Sequence, residues 1–309
     1  MTLNLLHLKY AIEVARVGSL NRAAENLIIA QPNLSRAVKE LESEIGITIF
    51  ERTSKGVYLT AQGEEFINHA KTLLKQMEHL ENMYRDDRPI RRRFSASVPR
   101  AGYICDAFVC FSETVSSRAY ELFYKETNSK RTIQNVLDSD YNIGIIRYAE
   151  NFERHFERML EEKGLKYEVI SQFTYRLIMS RDGELAKCEN ITYADLENYI
   201  EIAHADPYVP SVAMSRIQKE ELPDNINRRI FVFERSSQMD ILESNKNTFM
   251  WVSPTPQSML DRYGLVSREC EENKKIYKDV LIYKEGYKLT ELDKRFISEV
   301  KKACEEHLK

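Results

Sequence analysis

The 309-residue chain has no Cys-x-x-Cys, and its five cysteines, Cys105, Cys110, Cys188, Cys270 and Cys304, are odd in number and widely spaced. That spacing argues against a disulfide framework or a structural zinc site and suits a reducing compartment, so a cytoplasmic location is expected. No uninterrupted apolar run reaches the ~18 residues that a membrane-spanning helix needs, and no membrane partner is expected. The opening stretch MTLNLLHLKYAIEVARVG has no basic leader or cleavage-type site and is interrupted by Lys9 and Glu13. It reads as a helix, not a signal peptide. Also missing are G-x-S-x-G, H-E-x-x-H, G-x-G-x-x-G and G-K-[ST], and the six histidines show no metal spacing. No catalytic residue, metal or cofactor is therefore expected; an enzyme built on Cys105 or Cys110 with His155 or His204 is the disfavoured alternative. Net charge is −3 with a pI near 6.2, which disfavours an indiscriminate nucleic-acid binder but leaves room for a local basic surface.

What is present is concentrated between Asn21 and Thr60. A first helix is expected from about Asn4 to Val17, with Asn4 as N-cap, Leu8, Ile12 and Ala15 on one face, and Gly18 as its stop. Ser19 caps a second, short helix in which Ala23 and Ala24 allow another helix to cross closely. Ile28, Ile29 and Ala30 make a turn. A third helix opens at Gln31-Pro32, where proline is tolerated. In it Leu34, Val38, Leu41 and Ile45 form one buried stripe, leaving Gln31, Asn33, Ser35, Arg36 and Lys39 on the other faces. Short polar and basic side chains of this kind read base edges and grip phosphates. The segment Ile47 to Leu59 reads as a two-stranded wing turning at Gly56, with Arg52 and Lys55 placed to meet a phosphate backbone. Together these form a winged helix-turn-helix, which places one helix in the major groove of DNA.

The stretch GSLNRAAENL…AQPNLSRAVKELESEIGITIFERTSKGVYLTAQGEEF resembles the N-terminal domain of LysR-type transcriptional regulators, over roughly residues 3 to 85. The resemblance implies that Gln31, Pro32, Ser35 and Arg36 contact DNA at the start of the recognition helix and that Arg52 belongs to the wing contact. One position departs: the family usually has Ser before Gln-Pro, and here it is Ala30. A missing helix cap of this kind costs ~1 kcal/mol.

Thr60 can cap a long helix from Ala61 to about Asp87, ended by Pro89. Phe66, Ala70, Leu73, Met77, Leu80 and Tyr84 alternate spacings of four and three, a heptad seam that suits a two-chain coil. A dimer of recognition helices would read an inverted repeat. The resemblance implies the same homodimer, commonly a homotetramer of two dimers, and contact with RNA polymerase. The run Arg88-Pro89-Ile90-Arg91-Arg92-Arg93 is a hinge candidate.

From Phe94 onward strand-like and helix-like stretches alternate, indicating α/β architecture with largely parallel sheets. The expected whole is an α+β multidomain chain: a winged helix-turn-helix (1–60), a linker helix (61–88) and a two-lobed α/β effector domain (89–309). The resemblance implies that this last domain is periplasmic-binding-protein-like, with lobe I at about 94–164 and 267–309 and lobe II at about 165–266. A small-molecule cleft between the lobes should be lined by strand C-termini and helix N-termini. The candidates are Ser97, Pro99, Arg100, Thr127, Asn128, Arg147 and His204. Each has an ordinary alternative; Arg147, for example, could pair with Glu150 or Asp140. Arg100 and Arg147 together favour an anionic effector such as a carboxylate. A domain answering to redox state or a protein partner is the alternative.

Overall fold

The computed structural model describes residues 4–53, 56–84, 92–116, 119–204, 206–213, 215–217 and 226–308. The chain divides into two compact units, Met1–Ile90 and Arg91–Lys309.

In the first unit, helices α1 (Leu5–Val17), α2 (Leu20–Leu27) and α3 (Gln31–Ile45) precede strands β1 (Phe50–Thr53) and β2 (Gly56–Leu59) and helix α4 (Ala61–Tyr84). The caps are those expected. Asn4 accepts from the Leu6 N–H, Ser19 accepts from the Arg22 N–H, and Gly18 takes the left-handed conformation that ends α1. The core is Leu8, Ala11, Val14, Ala23, Ala24, Leu34, Val38, Leu41 and Ile49. Small alanines on α1 and α2 let the three helices approach closely. Two backbone N–H groups of the wing, from Ile49 and Phe50, donate to the Glu42 carboxylate at 2.7 and 3.0 Å. The wing is thereby pinned to α3. Gly63 cannot be replaced without movement, since a Cβ there would lie 2.1 Å from the Ile49 carbonyl oxygen.

The linker helix divides its apolar residues in a way the heptad pattern does not show. Ile67 and Ala70 are buried in the first unit's own core, with Phe66 and Leu74 packed against it. Ala70 is thus used within the chain, not left free for a seam. Leu73, 47% exposed, faces outward, and Met77 is half-buried. The side chains of Leu80 and Tyr84, and the hinge candidates from Arg88 to Arg91, lie outside the described residues.

The second unit holds two five-stranded mixed sheets. In one, β3 (Arg92–Val98) lies between β4 (Tyr120–Glu126) and β5 (Ile143–Ala149), followed by β12 (Ile276–Lys284) and β6 (Leu165–Thr174). Helices α5 (Gly102–Glu113) and α11 (Glu291–His307) cover one face through Phe94, Phe111 and Phe296. Helices α6 (Ser129–Leu137) and α7 (Glu153–Glu162) cover the other through Ile133, Ile146 and Phe156. Because this sheet is covered on both faces, its central strands are near-continuous apolar runs. The second sheet has the order β11 (Leu265–Arg268), β7 (Arg176–Ser180), β10 (Thr248–Val252), β8 (Ile200–His204), β9 (Arg229–Val232). Helices α9 (Arg235–Ser244) and α10 (Gln257–Arg262) pack on one side of it, and the short α8 (Tyr193–Leu196) lies on the other.

The structure differs from expectation in three respects. Four strand pairs are antiparallel, β5–β12, β12–β6, β7–β10 and β7–β11, so the sheets are half parallel, not largely so. Strand β6, expected to open lobe II, pairs with β12 in the first sheet; the crossing is at Tyr175, eleven residues later than Gly164. The return crossing likewise follows β11, beyond Val266. Antiparallel pairing of a long returning strand is not marked by its hydrophobicity.

Candidate functional site

Two surfaces carry the residues singled out from the sequence, one on each unit. On α3 the buried stripe of Leu34, Ala37, Val38 and Leu41 fixes the helix against the core. Pro32, Asn33, Arg36 and Lys39 are then exposed, with Gln31 and Ser35 half-buried beside them. The N-cap is Ala30, which makes no side-chain cap. Arg52 lies in β1 with its side chain outside the described residues, and Lys55 lies outside them altogether. Just before α3, Ile28 holds a left-handed backbone (φ 56°) and is 92% exposed, an uncommon state for a β-branched residue.

On the second unit a cavity of about 730 Å³ opens between the two sheets. The C-terminal ends of β3, β4 and β5 bring Pro99, Arg100, Thr127, Asn128 and Arg147 to one wall, and the end of β8 brings His204 to the other. Six of the seven expected residues therefore converge. Ser97 does not. It is fully buried two residues before Pro99, its hydroxyl 3.1 Å from that of Thr132 and accepting from the Asn135 amide at 3.0 Å. It ties β3 to α6 under the cavity floor.

Several wall residues were not singled out beforehand: Tyr175, Tyr193, Tyr208, Trp251 and Tyr277 give the cavity an aromatic lining. Tyr175 stacks on Tyr277 with ring centres 3.9 Å apart, and Asn273 ties the two crossing segments by donating to the Tyr175 carbonyl at 3.0 Å.

The electrostatics of the wall are set by two carboxylates also missed. Asp279, fully buried on β12, accepts from Arg147 Nε and Nη2 at 2.7 and 2.6 Å and from the Tyr103 hydroxyl. Burial works against the Arg147 charge, but Asp279 outweighs it and holds the guanidinium well above its ordinary value. Burial and Asp279 together keep Tyr103 protonated. Arg147 also lies over the Phe173 ring at 4.8 Å. Its partner is thus neither Glu150 nor Asp140. Asp206 is the second carboxylate: it accepts from Arg100 Nη1 and Nη2 at 3.2 and 3.4 Å and from Asn128 Nδ2 at 2.9 Å. Both arginines nominated for an anion are answered from within the chain. A signal existed for Asp279, a lone acid inside an apolar strand; Asp206 sits unmarked in a loop. His204 is pushed down to about 4 by burial, with Arg100 adding to the effect. It is neutral at pH 7, its Nδ1 3.0 Å from the Gln238 amide.

Comparison with known proteins agrees with this layout. Residues 5–64 match the family described as bacterial regulatory helix-turn-helix protein, lysR family. The chain is 28% identical over 223 residues to the HTH-type transcriptional regulator AlsR of Bacillus subtilis (strain 168), covering 70% of this chain and 69% of that one. It is 27% identical over 201 residues to the HTH-type transcriptional regulator YnfL of Escherichia coli (strain K12), covering 63% and 64%, so the match spans somewhat under two thirds of that relative. The fold is shared with full-length CbnR in complex with its target DNA, at TM-score 0.63, 19% identity and 97% and 99% coverage. It is also shared with full-length OxyR from Pseudomonas aeruginosa, at TM-score 0.55, 15% identity and 99% coverage of both chains. A helix-turn-helix matched along its whole length, two relatives aligned well beyond it and a shared full-length fold converge on one conclusion: the first unit carries the helix-turn-helix of the bacterial lysR family, and the chain is similar beyond it to regulators of that type.

Proposed function

We propose that this chain regulates transcription by binding an inverted-repeat duplex as a homodimer or homotetramer, and that a small molecule in the second unit's cleft controls that binding. The observation that carries the DNA reading is the first two and a half turns of α3. Its apolar stripe is buried while Pro32, Asn33, Arg36 and Lys39 stand free at the surface. Such a turn can enter the major groove with its N–H dipoles and cations toward phosphate. Leu73, an apolar residue left outward on a 24-residue helix, supports self-association through α4. The cleft has the volume and aromatic lining of a small-molecule site, and ligand-dependent lobe closure would alter the DNA-bound geometry by population shift. Contact with RNA polymerase in the cytoplasm belongs to the same reading.

The redox alternative is disfavoured at two of the thiols, Cys110 and Cys304. Cys110 is exposed, yet burial of its sulfur and then Asp106 and other acids push its pKa up; burial pushes Cys304 up to about 11. Reactive sensor thiols need the opposite environment.

Selection from a random duplex pool with the full-length protein tests the proposal. An enriched inverted repeat with half-sites about one or two helical turns apart is expected; uniform retention of the pool overturns it.

A further inference from the structure

The two arginine–carboxylate pairs on the cleft wall are built differently. Arg147 and Asp279 sit on neighbouring, paired strands, meet at 2.6–2.7 Å and are 10% and 0% exposed. Charge-assisted contacts at that length are strong. The Arg100–Asp206 contacts are 3.2 and 3.4 Å, longer than such bonds prefer, and the side chains are 13% and 20% exposed. The first pair is part of the sheet. The second joins the end of β3 to the segment after β8, which is the other lobe's strand.

The described residues of that segment, 206–213 and 215–217, leave the second sheet and dock on the first lobe. Val209 and Ile217 are buried in the cluster around Phe156 and Tyr148, and Tyr208 meets Phe156 edge-on at 6.2 Å. The receptor for its carboxylate is well organised. Asn128 is the N-cap of α6, its Oδ1 fixed by the Arg131 N–H at 2.9 Å, which turns Nδ2 toward Asp206 Oδ2 at 2.9 Å and the Asp206 carbonyl at 3.1 Å. A guanidinium and a held amide converge on one carboxylate at the edge of an aromatic-lined cavity.

We infer that the cleft carries its own carboxylate in its anion site: Asp206 occupies the place of a free carboxylate, and a carboxylate-bearing small molecule acts by displacing it from Arg100 and Asn128. This rests on the reading of the cleft as an effector pocket. Displacement undoes a polar tie between the lobes while Val209 and Ile217 stay anchored. Among the described residues a second cross-lobe ion pair, Glu126 with Arg235 at 2.7 Å, remains. Because Asp206 is tethered, it competes at a high local concentration, and the apparent affinity of a free carboxylate falls by the fraction of sites it holds.

The test uses the chain's single tryptophan, Trp251, which lines the same cavity. Full-length wild type, Asp206→Asn and Asp206→Ala are titrated with sodium benzoate, and with benzamide as the uncharged control, following Trp251 fluorescence. Benzoate should bind at least tenfold tighter to Asp206→Ala than to wild type, with Asp206→Asn also tighter, and adding Arg100→Gln should cancel the gain. Benzamide should not distinguish the proteins. Folded variants that bind benzoate no better than wild type overturn the inference, as does an equal gain for benzamide. If Asp206→Ala does not fold, the isosteric Asp206→Asn decides. The duplex selection, run on the same wild-type protein, separates the two levels: specific DNA binding without the benzoate effect removes this inference alone.

Discussion

Arg36 and Lys39 on α3 and Arg100 and Arg147 in the cleft are cations in opposite situations. Among the described residues, the first two are exposed and form no ion pair, so their charge is available to something outside the chain. The cleft pair is answered from within, by Asp206 and Asp279. An exposed cation costs nothing to leave unpaired, whereas a buried one must bring its counter-ion. A basic residue in a sequence is therefore a candidate anion receptor only where its surroundings leave it unanswered. Within the cleft the same logic separates Arg147, locked to a buried partner, from Arg100, whose partner is half-solvated and on a loop.

Removing the locked partner should produce the largest effect. Asp279→Ala leaves Arg147 charged and buried without compensation, at a cost of ~3–5 kcal/mol. Urea unfolding should show a second unit that is severely weakened or unfolded while the first is unchanged. The double replacement Arg147→Met with Asp279→Leu should recover most of the loss, since two apolar groups need no partner. An Asp279→Ala protein as stable as wild type would break the distinction between locked and exchangeable pairs.

On the outward side, Arg36→Ala should leave folding unaltered and weaken specific duplex binding by ~1–3 kcal/mol if the side chain reads a base. Lys39→Ala should instead lower affinity evenly across sequences and reduce the salt slope by about one. Anisotropy titrations at several salt concentrations separate the two. Unchanged affinity in both variants would mean that α3 does not face DNA. Leu73→Asp is expected to weaken self-association at least tenfold, about 1.4 kcal/mol, read by sedimentation. Its monomer stability should be preserved, because Leu73 is exposed within the chain; an unchanged sedimentation profile would place the seam elsewhere on α4.

The first unit was legible because its signals are local. Asn4, Ser19, Gly18 and Pro32 mark helix ends by rules that need only neighbouring residues, and Leu34, Val38 and Leu41 declare the buried face by spacing alone. The division of α4 between Ala70 inward and Leu73 outward was not legible, since both satisfy one heptad. In the second unit the alternation of strands and helices was visible from Phe94 onward, but β6 was assigned to the wrong sheet because pairing is decided across more than a hundred residues. The cleft followed the same division. Strand ends indicated Arg100, Asn128, Arg147 and His204, while Asp279, 132 residues from Arg147, and Asp206, 106 from Arg100, required the fold. Ser97 does not reach the cavity because its hydroxyl is taken up by Thr132 and Asn135 of α6, a contact across more than thirty residues that the strand-end position does not mark.

The smallest effect concerns a partner that is missing within the recognition unit itself. Ala30 has the extended backbone of an N-cap (φ −69°, ψ 131°) but no side-chain acceptor, and Pro32 has no N–H to receive. The Asn33 N–H, which now bonds only the Ala30 carbonyl at 3.0 Å, is the donor a serine hydroxyl would meet. Ala30→Ser should therefore stabilise the first unit by ~0.5–1 kcal/mol, seen as slower amide exchange through Gln31–Leu34 in the full-length protein. Ala30→Gly lacks the hydroxyl and should not reproduce this. Specific DNA binding should tighten a few-fold with serine, because a fixed first turn presents Asn33 and Arg36 with less ordering to do on binding. If serine slows exchange but leaves affinity unchanged, the first turn is already ordered in the free protein, and the outward face, like the locked pair in the cleft, is set before any partner arrives.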